Sequence, residues 1–430
     1  MLDIERIRRE PDAVRAALAT RGEAAVTEFD RLLALDAAWR RGRFEVDEMR
    51  ATHKAASRDV GKLFQDGKKE EATARKEELR LLSDRIDAKE EEVKRLAEGR
   101  EGVLLTLPNL PHASVPVGPD ASANRVERVW GERPAFPFPP RDHLALGEAL
   151  GILDLPRAAR MSGARFPMFV GAGAVLERAL CQLMLEIHVR EHGYTEVSPP
   201  LMLNRAALVG TGQLPKFEED LFRVEPGGFY LAPTAEVPLV NIHREEILEA
   251  GRLPIRLVSC TPCFRSEAGA AGKDTRGIIR VHQFDKVELV QITRPEDSDE
   301  ALEEMVRHAE TVVRRLGLHH RVSCLSTGDM GFAASKTYDI EAWLPAQESY
   351  REVSSVSNCD AFQARRARIR YRPGPEAAAR PVHTLNGSGV ALPRTWAALV
   401  ESYQQEDGSV RVPEALRPFL GGLDSIRPPR

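Results

Sequence analysis

Apolar residues fall alternately three and four apart along the N-terminal quarter of the chain. Leu32, Leu35, Trp39, Gly42, Val46, Met49, His53, Ala56 and Val60 form one such series. After an interruption at 61–67, Ala72, Arg75, Leu79, Leu82, Ile86, Lys89, Val93 and Leu96 form a second. Two heptad series joined by a short turn predict an antiparallel coiled-coil hairpin over about 28–98. About 30 residues per helix give an arm on the order of 45 Å long. Ile4, Ile7, Val14, Ala17 and Leu18 mark a short helical lead-in. Prolines then recur from Pro108 to Pro140 and forbid long helices there. A domain boundary is therefore placed near 108, between 1–107 and 108–430. Beyond it the pattern predicts helix within 144–193 and an amphipathic helix over 295–316. The stretch from Lys336 to Leu344 alternates like a strand.

Composition narrows the class. With 430 residues, 42% hydrophobic and a net charge of −4, the chain has room for two or three domains and no global basic field. Any nucleic-acid contact must rest on local patches, such as Lys62, Lys68 and Lys69 at the hairpin turn. Acidic and basic residues nearly balance over 28–98, so most of the arm's surface is a solvated face. From the heptads alone, a dimerisation or spacer coil is the better expectation for it. No apolar run reaches a membrane span, the first residues are too charged for a secretory signal, and five cysteines suggest no disulfide framework. A cytoplasmic protein is expected.

The densest chemistry lies at 264–288, FRSEAGAAGKDTRGIIRVHQFDKVE. Arg265 and Glu267, two apart, would share one face of a strand. A loop carrying Gly269, Gly272, Lys273, Asp274, Thr275, Arg276 and Gly277 follows. Residues 278–284 would form a second strand. Arg265 offers a donor fork for carboxylate or phosphate oxygens. Phe284 offers a flat face for a base, and Glu267 and Glu288 accept from amino groups. Upstream, Thr234-Ala235-Glu236 places a hydroxyl and a carboxylate two apart; Thr234 reads as a helix N-cap that can also meet a ligand. Cys260 and Cys263 lack a second pair, and packing is the better reading of them than zinc. Gln363, Arg365, Arg366, Arg368 and Arg370 form a run that reads equally as a solvated face or as a contact for RNA.

These strings resemble the class II aminoacyl-tRNA synthetases, and seryl-tRNA synthetases of the bacterial type in particular. Phe264-Arg265-Ser266-Glu267 with Arg280-x-x-x-Phe284 resembles motif 2. The stretch 193–200 resembles motif 1, and 386–400 resembles motif 3, all in family order. The resemblance implies an α+β fold in which a helical arm precedes a mainly antiparallel sheet flanked by helices. It implies a homodimer that activates serine with ATP and charges tRNA(Ser), with tRNA(Sec) as a second candidate. It also implies that the arm binds tRNA. Arg265 and Arg394 would be catalytic. Thr234, Ala235, Glu236, Arg265, Glu288, Asn386 and Ser388 would bind serine. Arg265, Ser266, Glu267, Arg280, Val281, Phe284, Glu352, Val353, Ser354, Ser355 and Arg394 would bind ATP. Glu352 and Ser355 would hold Mg²⁺ through the nucleotide, and no zinc is expected. One departure is Leu392-Pro393 ahead of Arg394, where a pair of small residues is usual; proline fits a helix's first turn. Two other readings share the core: a ligase that loads an amino acid onto a carrier protein, and a non-catalytic RNA-binding relative.

Overall fold

The computed structural model describes residues 1–268 and 277–429. Gly269, Gly272, Lys273, Asp274, Thr275 and Arg276 lie outside the described residues. The chain divides into two compact units, Glu5–Leu107 and Met1–Ile4 with Pro108–Arg430.

The first unit is built on two long helices, α1 (Glu23–Gln65) and α2 (Lys69–Thr106). Leu32, Val46, Val60, Ala72, Ile86 and Val93 are buried along their seam. Gly42 brings the helices close, since a Cβ there would lie 2.8 Å from Val93 Cγ2. The expected break at Gly61 does not occur. A single glycine costs a helix only about 1 kcal/mol, and α1 continues to Gln65. The reversal falls at 66–68, where Gly67 takes the left-handed backbone that suits glycine (φ 76°). Arg75 also departs from the expected seam: it is exposed and pairs with Glu78 at 2.7 Å. Asp36 is buried on α1 and takes hydrogen bonds from Arg8, Arg40 and Arg100. Those donors satisfy a charge that would otherwise be costly to bury.

The second unit is organised on one eight-stranded sheet. Its strands are β1 (Arg125–Trp130), β2 (Thr195–Glu196), β3 (Ile255–Phe264), β4 (Gln283–Thr293), β5 (His320–Cys324), β6 (Lys336–Leu344), β7 (Ser349–Asn358) and β8 (His383–Ala391). Their spatial order is β1-β5-β6-β7-β8-β4-β3-β2. Every neighbouring pair is antiparallel except β2 with β3. Around it lie helices α3 (Ala172–Glu186), α4 (Glu236–Asn241), α5 (Ser298–Arg315), α6 (Phe362–Ala367) and α7 (Leu392–Ser402). The apolar stripe Leu302, Met305, Val306, Ala309 and Val313 joins α5 to the sheet in one core, which also takes Leu176, Leu180 and Met184 of α3 and Trp396 of α7.

The 264–288 hairpin is shorter in strand than its alternation suggests. Its last pair is Phe264 with Gln283, so Arg265, Glu267 and 278–282 lie beyond the ladder. Glu267 has φ 53°, which ends extended pairing there.

Candidate active site

One cavity of about 680 Å³ is walled by residues from β4, β7 and β8, the segments beyond β3 and before α4, and the first turn of α7. Strand side chains alternate between faces, so β4 sends Phe284, Lys286 and Glu288 to this wall, and β8 sends Asn386 and Ser388. Arg265 and Arg394, 129 positions apart in the sequence, line the same space.

Both guanidinium groups are steered by backbone carbonyls. Arg265 Nε donates to Pro233 O at 3.2 Å, and its guanidinium carbon lies 5.3 Å from the Phe284 ring centre. Arg394 Nε donates to Ile279 O at 3.1 Å, and its Nη1 donates to Glu352 O at 2.9 Å. The same Nη1 lies 3.1 Å from Glu352 Oε2. Leu392 and Pro393 form the first turn of α7, as a proline permits, and Arg394 follows in that turn. Glu267 is paired with Arg280 at 2.9 Å and with Arg165 at 3.8 Å.

Acids gather on the other side. Glu236 Oε1 accepts from Gln363 Nε2 at 2.6 Å and from Asn386 Nδ2 at 3.0 Å. Withdrawal from water, then the nearby Glu288 charge, pushes its carboxyl up to about 7. The hydroxyl of Thr234 accepts from the Glu236 backbone N–H at 3.2 Å and from Lys286 Nζ at 3.0 Å. The helix begins two residues on, with Ala235 at the cap position, so Thr234 serves the turn before α4 rather than capping it directly. Lys286 and Glu288 form a buried ion pair.

Glu352 is held below the usual carboxylate range. Burial, the largest single influence, would raise it, and the charge and hydrogen bond of Arg394 together with the charges of Arg265 and Lys286 more than offset that. Asp339, opposite Ser355 in the β6–β7 ladder, is pushed well above its ordinary value by burial and by Glu352. One of its oxygens, Oδ1, is buried without a hydrogen-bond partner.

That donor set bears on a metal. Among the described residues no group of three or more His, Cys, Asp or Glu could hold one. Mg²⁺ needs fewer protein ligands, because it keeps waters and takes substrate phosphate oxygens. Glu352 and Ser355 put oxygens on the cavity wall, Asp339 across the ladder from Ser355 has one oxygen without a partner, and such donors fit a hard cation.

Most residues singled out in the sequence meet here: Thr234, Glu236, Arg265, Glu267, Arg280, Val281, Phe284, Glu288, Glu352, Ser355, Asn386, Ser388 and Arg394 all line the cavity. Four do not. Ala235 and Val353 are buried in the interior, Ser354 Oγ donates to Ser388 O, and Ser266 Oγ donates to Glu219 O. Strand alternation turns Ser354 away from Ser355, and Glu352 joins Ser355 at the cavity across the register shift in the β6–β7 ladder between Ile340 and Glu341. Gln363 and Arg366 also depart from the solvated-face reading. Both are buried, and Arg366 Nη1 donates to Val209 O and Leu214 O at 3.3 Å each. Of that run, Arg368 and Arg370 are exposed. Cys263 is buried in β3, and Cys260 and Cys181 are free thiols whose sulfurs lie 2.8 Å apart. Gln213, Phe217 and Lys286 line the cavity without having been singled out.

A mainly antiparallel sheet with this cavity, an arginine just beyond strand β3 and another at a helix start define a class II aminoacyl-tRNA synthetase core. Residues 222–403 match the family described as tRNA synthetase class II core domain (G, H, P, S and T), and residues 1–111 match the seryl-tRNA synthetase N-terminal domain. A serine–tRNA ligase of Syntrophomonas wolfei is 52% identical over 429 residues, covering all of both chains. One from Carboxydothermus hydrogenoformans is 51% identical, covering 98% of each. The crystal structure of seryl-tRNA synthetase from Pyrococcus horikoshii complexed with ATP superposes over the whole of both chains, with a TM-score of 0.94 and 39% identity. The chain belongs to the serine–tRNA ligase family.

Proposed function

We propose that this pocket activates L-serine with ATP and that the chain then transfers the seryl group to tRNA(Ser). The observation that carries the reading is the pairing, in one cavity, of two carbonyl-steered arginines with a hydroxyl-and-carboxylate corner. The ATP bound to the Pyrococcus horikoshii relative supports the choice of nucleotide.

In the first step a serine carboxylate oxygen bonds to the α-phosphorus. The bond from that phosphorus to the bridging oxygen breaks, and pyrophosphate leaves with the electron pair. In the second step a ribose hydroxyl oxygen at the tRNA end bonds to the seryl carbonyl carbon, the bond from that carbon to the phosphate oxygen breaks, and AMP leaves with the electron pair while the hydroxyl proton passes to its phosphate or to water. Neither step needs a covalent enzyme nucleophile. Arg265 and Arg394 neutralise phosphate charge and align the reactants. Phe284 stacks on the base, and Glu267 faces the adenosine. Thr234, Glu236, Glu288, Asn386 and Ser388 surround the serine ammonium and hydroxyl. Glu352 and Ser355 would hold Mg²⁺, which supplies further charge neutralisation at the phosphates. We assign the α1–α2 arm to tRNA and expect a homodimer in the cytoplasm. Among the described residues no helix is long and apolar enough to cross a membrane.

A polar pocket built for a hydroxyl rejects the ligand that lacks it, because its own groups are left unpaired. ATP–pyrophosphate exchange tests the reading. It should run with L-serine and be strongly reduced with L-alanine, and failure with serine would remove the proposal.

A further inference from the structure

Phe284, Lys286 and Glu288 stand in a row on the cavity face of β4. Under the reading above, on which this inference rests, Phe284 takes the base and Glu288 takes serine. The position between them is where nucleotide and amino acid must join. Same-face neighbours on a strand are about 6.6 Å apart, which suits the span from a base-stacking ring to a reacting phosphate. Lys286 occupies that midpoint. Its side chain is only 8% exposed, yet it lines the cavity.

The ammonium rests against residues assigned to the substrate. It donates to Thr234 Oγ1 at 3.0 Å and touches Glu288 Oε2. The Lys286 charge also reaches Glu236 and Glu352, on opposite sides of the cavity.

We infer that Lys286 is a further catalytic residue of the activation step, binding the serine carboxylate as it attacks the α-phosphorus. In the empty pocket its ammonium occupies the oxygens that serine will use. When serine binds, the substrate's own ammonium and hydroxyl replace it on Thr234 and Glu288, and Lys286 turns to the carboxylate. Two anions, carboxylate and α-phosphate, must approach within bonding distance, and a third cation beside Arg265 and Arg394 opposes their repulsion. No proton moves in the step.

The test compares L-serine with L-serinamide, which keeps the ammonium and hydroxyl but lacks the carboxylate. Both are titrated calorimetrically into the wild type and Lys286→Met, with ATP binding as the control for an intact site. The variant should bind serine at least about tenfold more weakly, as expected for a lost charged hydrogen bond, while serinamide and ATP bind as before. Its exchange turnover should fall about a hundredfold, the scale of one lost charge-stabilising donor. Equal losses for serine and serinamide, or unchanged exchange, would overturn the inference. Lys286→Arg serves if the methionine variant does not fold: it should keep the preference for serine over serinamide, and loss of that preference would also overturn the inference. A wild type that exchanges with no amino acid would instead remove the serine-activating reading beneath it.

Discussion

Glu236 shows how one side chain ties the pocket to pH. Its carboxyl, pushed up to about 7 by burial and by Glu288, faces Lys286, Arg265, Gln363, Asn386 and Cys359. Below that value the empty pocket holds it neutral, and an ammonium ligand requires it ionised. Serine affinity should therefore fall about tenfold per pH unit below 7 and level off above, with a proton released on binding on the acid side. The same shift makes the ligand-free fold bind more protons than the unfolded chain between the ordinary value of 4.5 and about 7. This group's contribution to stability is thus complete below 4.5 and declines as pH rises through that window. Calorimetry with serine from pH 5.5 to 8, beside Glu236→Gln, checks the binding prediction; a flat wild-type profile would contradict it. At this scale the sequence exposed residues that stand in recognisable strings, such as Arg265, Glu288 and Arg394. It did not expose Gln363, because a six-residue helix carries too little periodicity to show which side faces inward. Lys286 could have been found from its alternation with Phe284 and Glu288.

Among elements, the long helices were the most legible, because many heptad positions agree on one seam. The 264–288 hairpin was less so. Alternation in the sequence extends past Phe264, but nothing local announces that Glu267 will adopt a positive φ. Strand β8 illustrates a constraint visible only in the packed sheet. A Cβ on Gly389 would lie 2.8 Å from His188 Nε2 and 2.9 Å from Val287 Cγ1. His188 is fully buried, and its burial, followed by neighbouring His192, depresses its basicity to about 3, so it packs there as a neutral ring. Gly389→Ala should cost about 1–3 kcal/mol by overpacking and should disturb Ser388 next to it. A urea midpoint unchanged from wild type, with serine binding intact, would show that the contact yields without strain.

For the molecule as a whole, two units with separate cores imply separable tasks. Removing residues 30–97 with a short bridging turn should leave serine-dependent exchange near the wild-type rate and abolish charging of tRNA(Ser). Undiminished charging would assign the arm another role. The order of the three motifs along the chain made the core's architecture legible before any coordinate, whereas the cavity's wall depended on which face each strand presents. The account rests most directly on Arg265 and Arg394 gripping one nucleotide beside serine, and a crystal structure with L-serine and a non-hydrolysable ATP analogue measures this. It should show Arg265 and Arg394 both on phosphate oxygens, the adenine against Phe284, and the serine between Glu236 and Glu288; an analogue bound elsewhere, or with either arginine turned away from the phosphates, would contradict it.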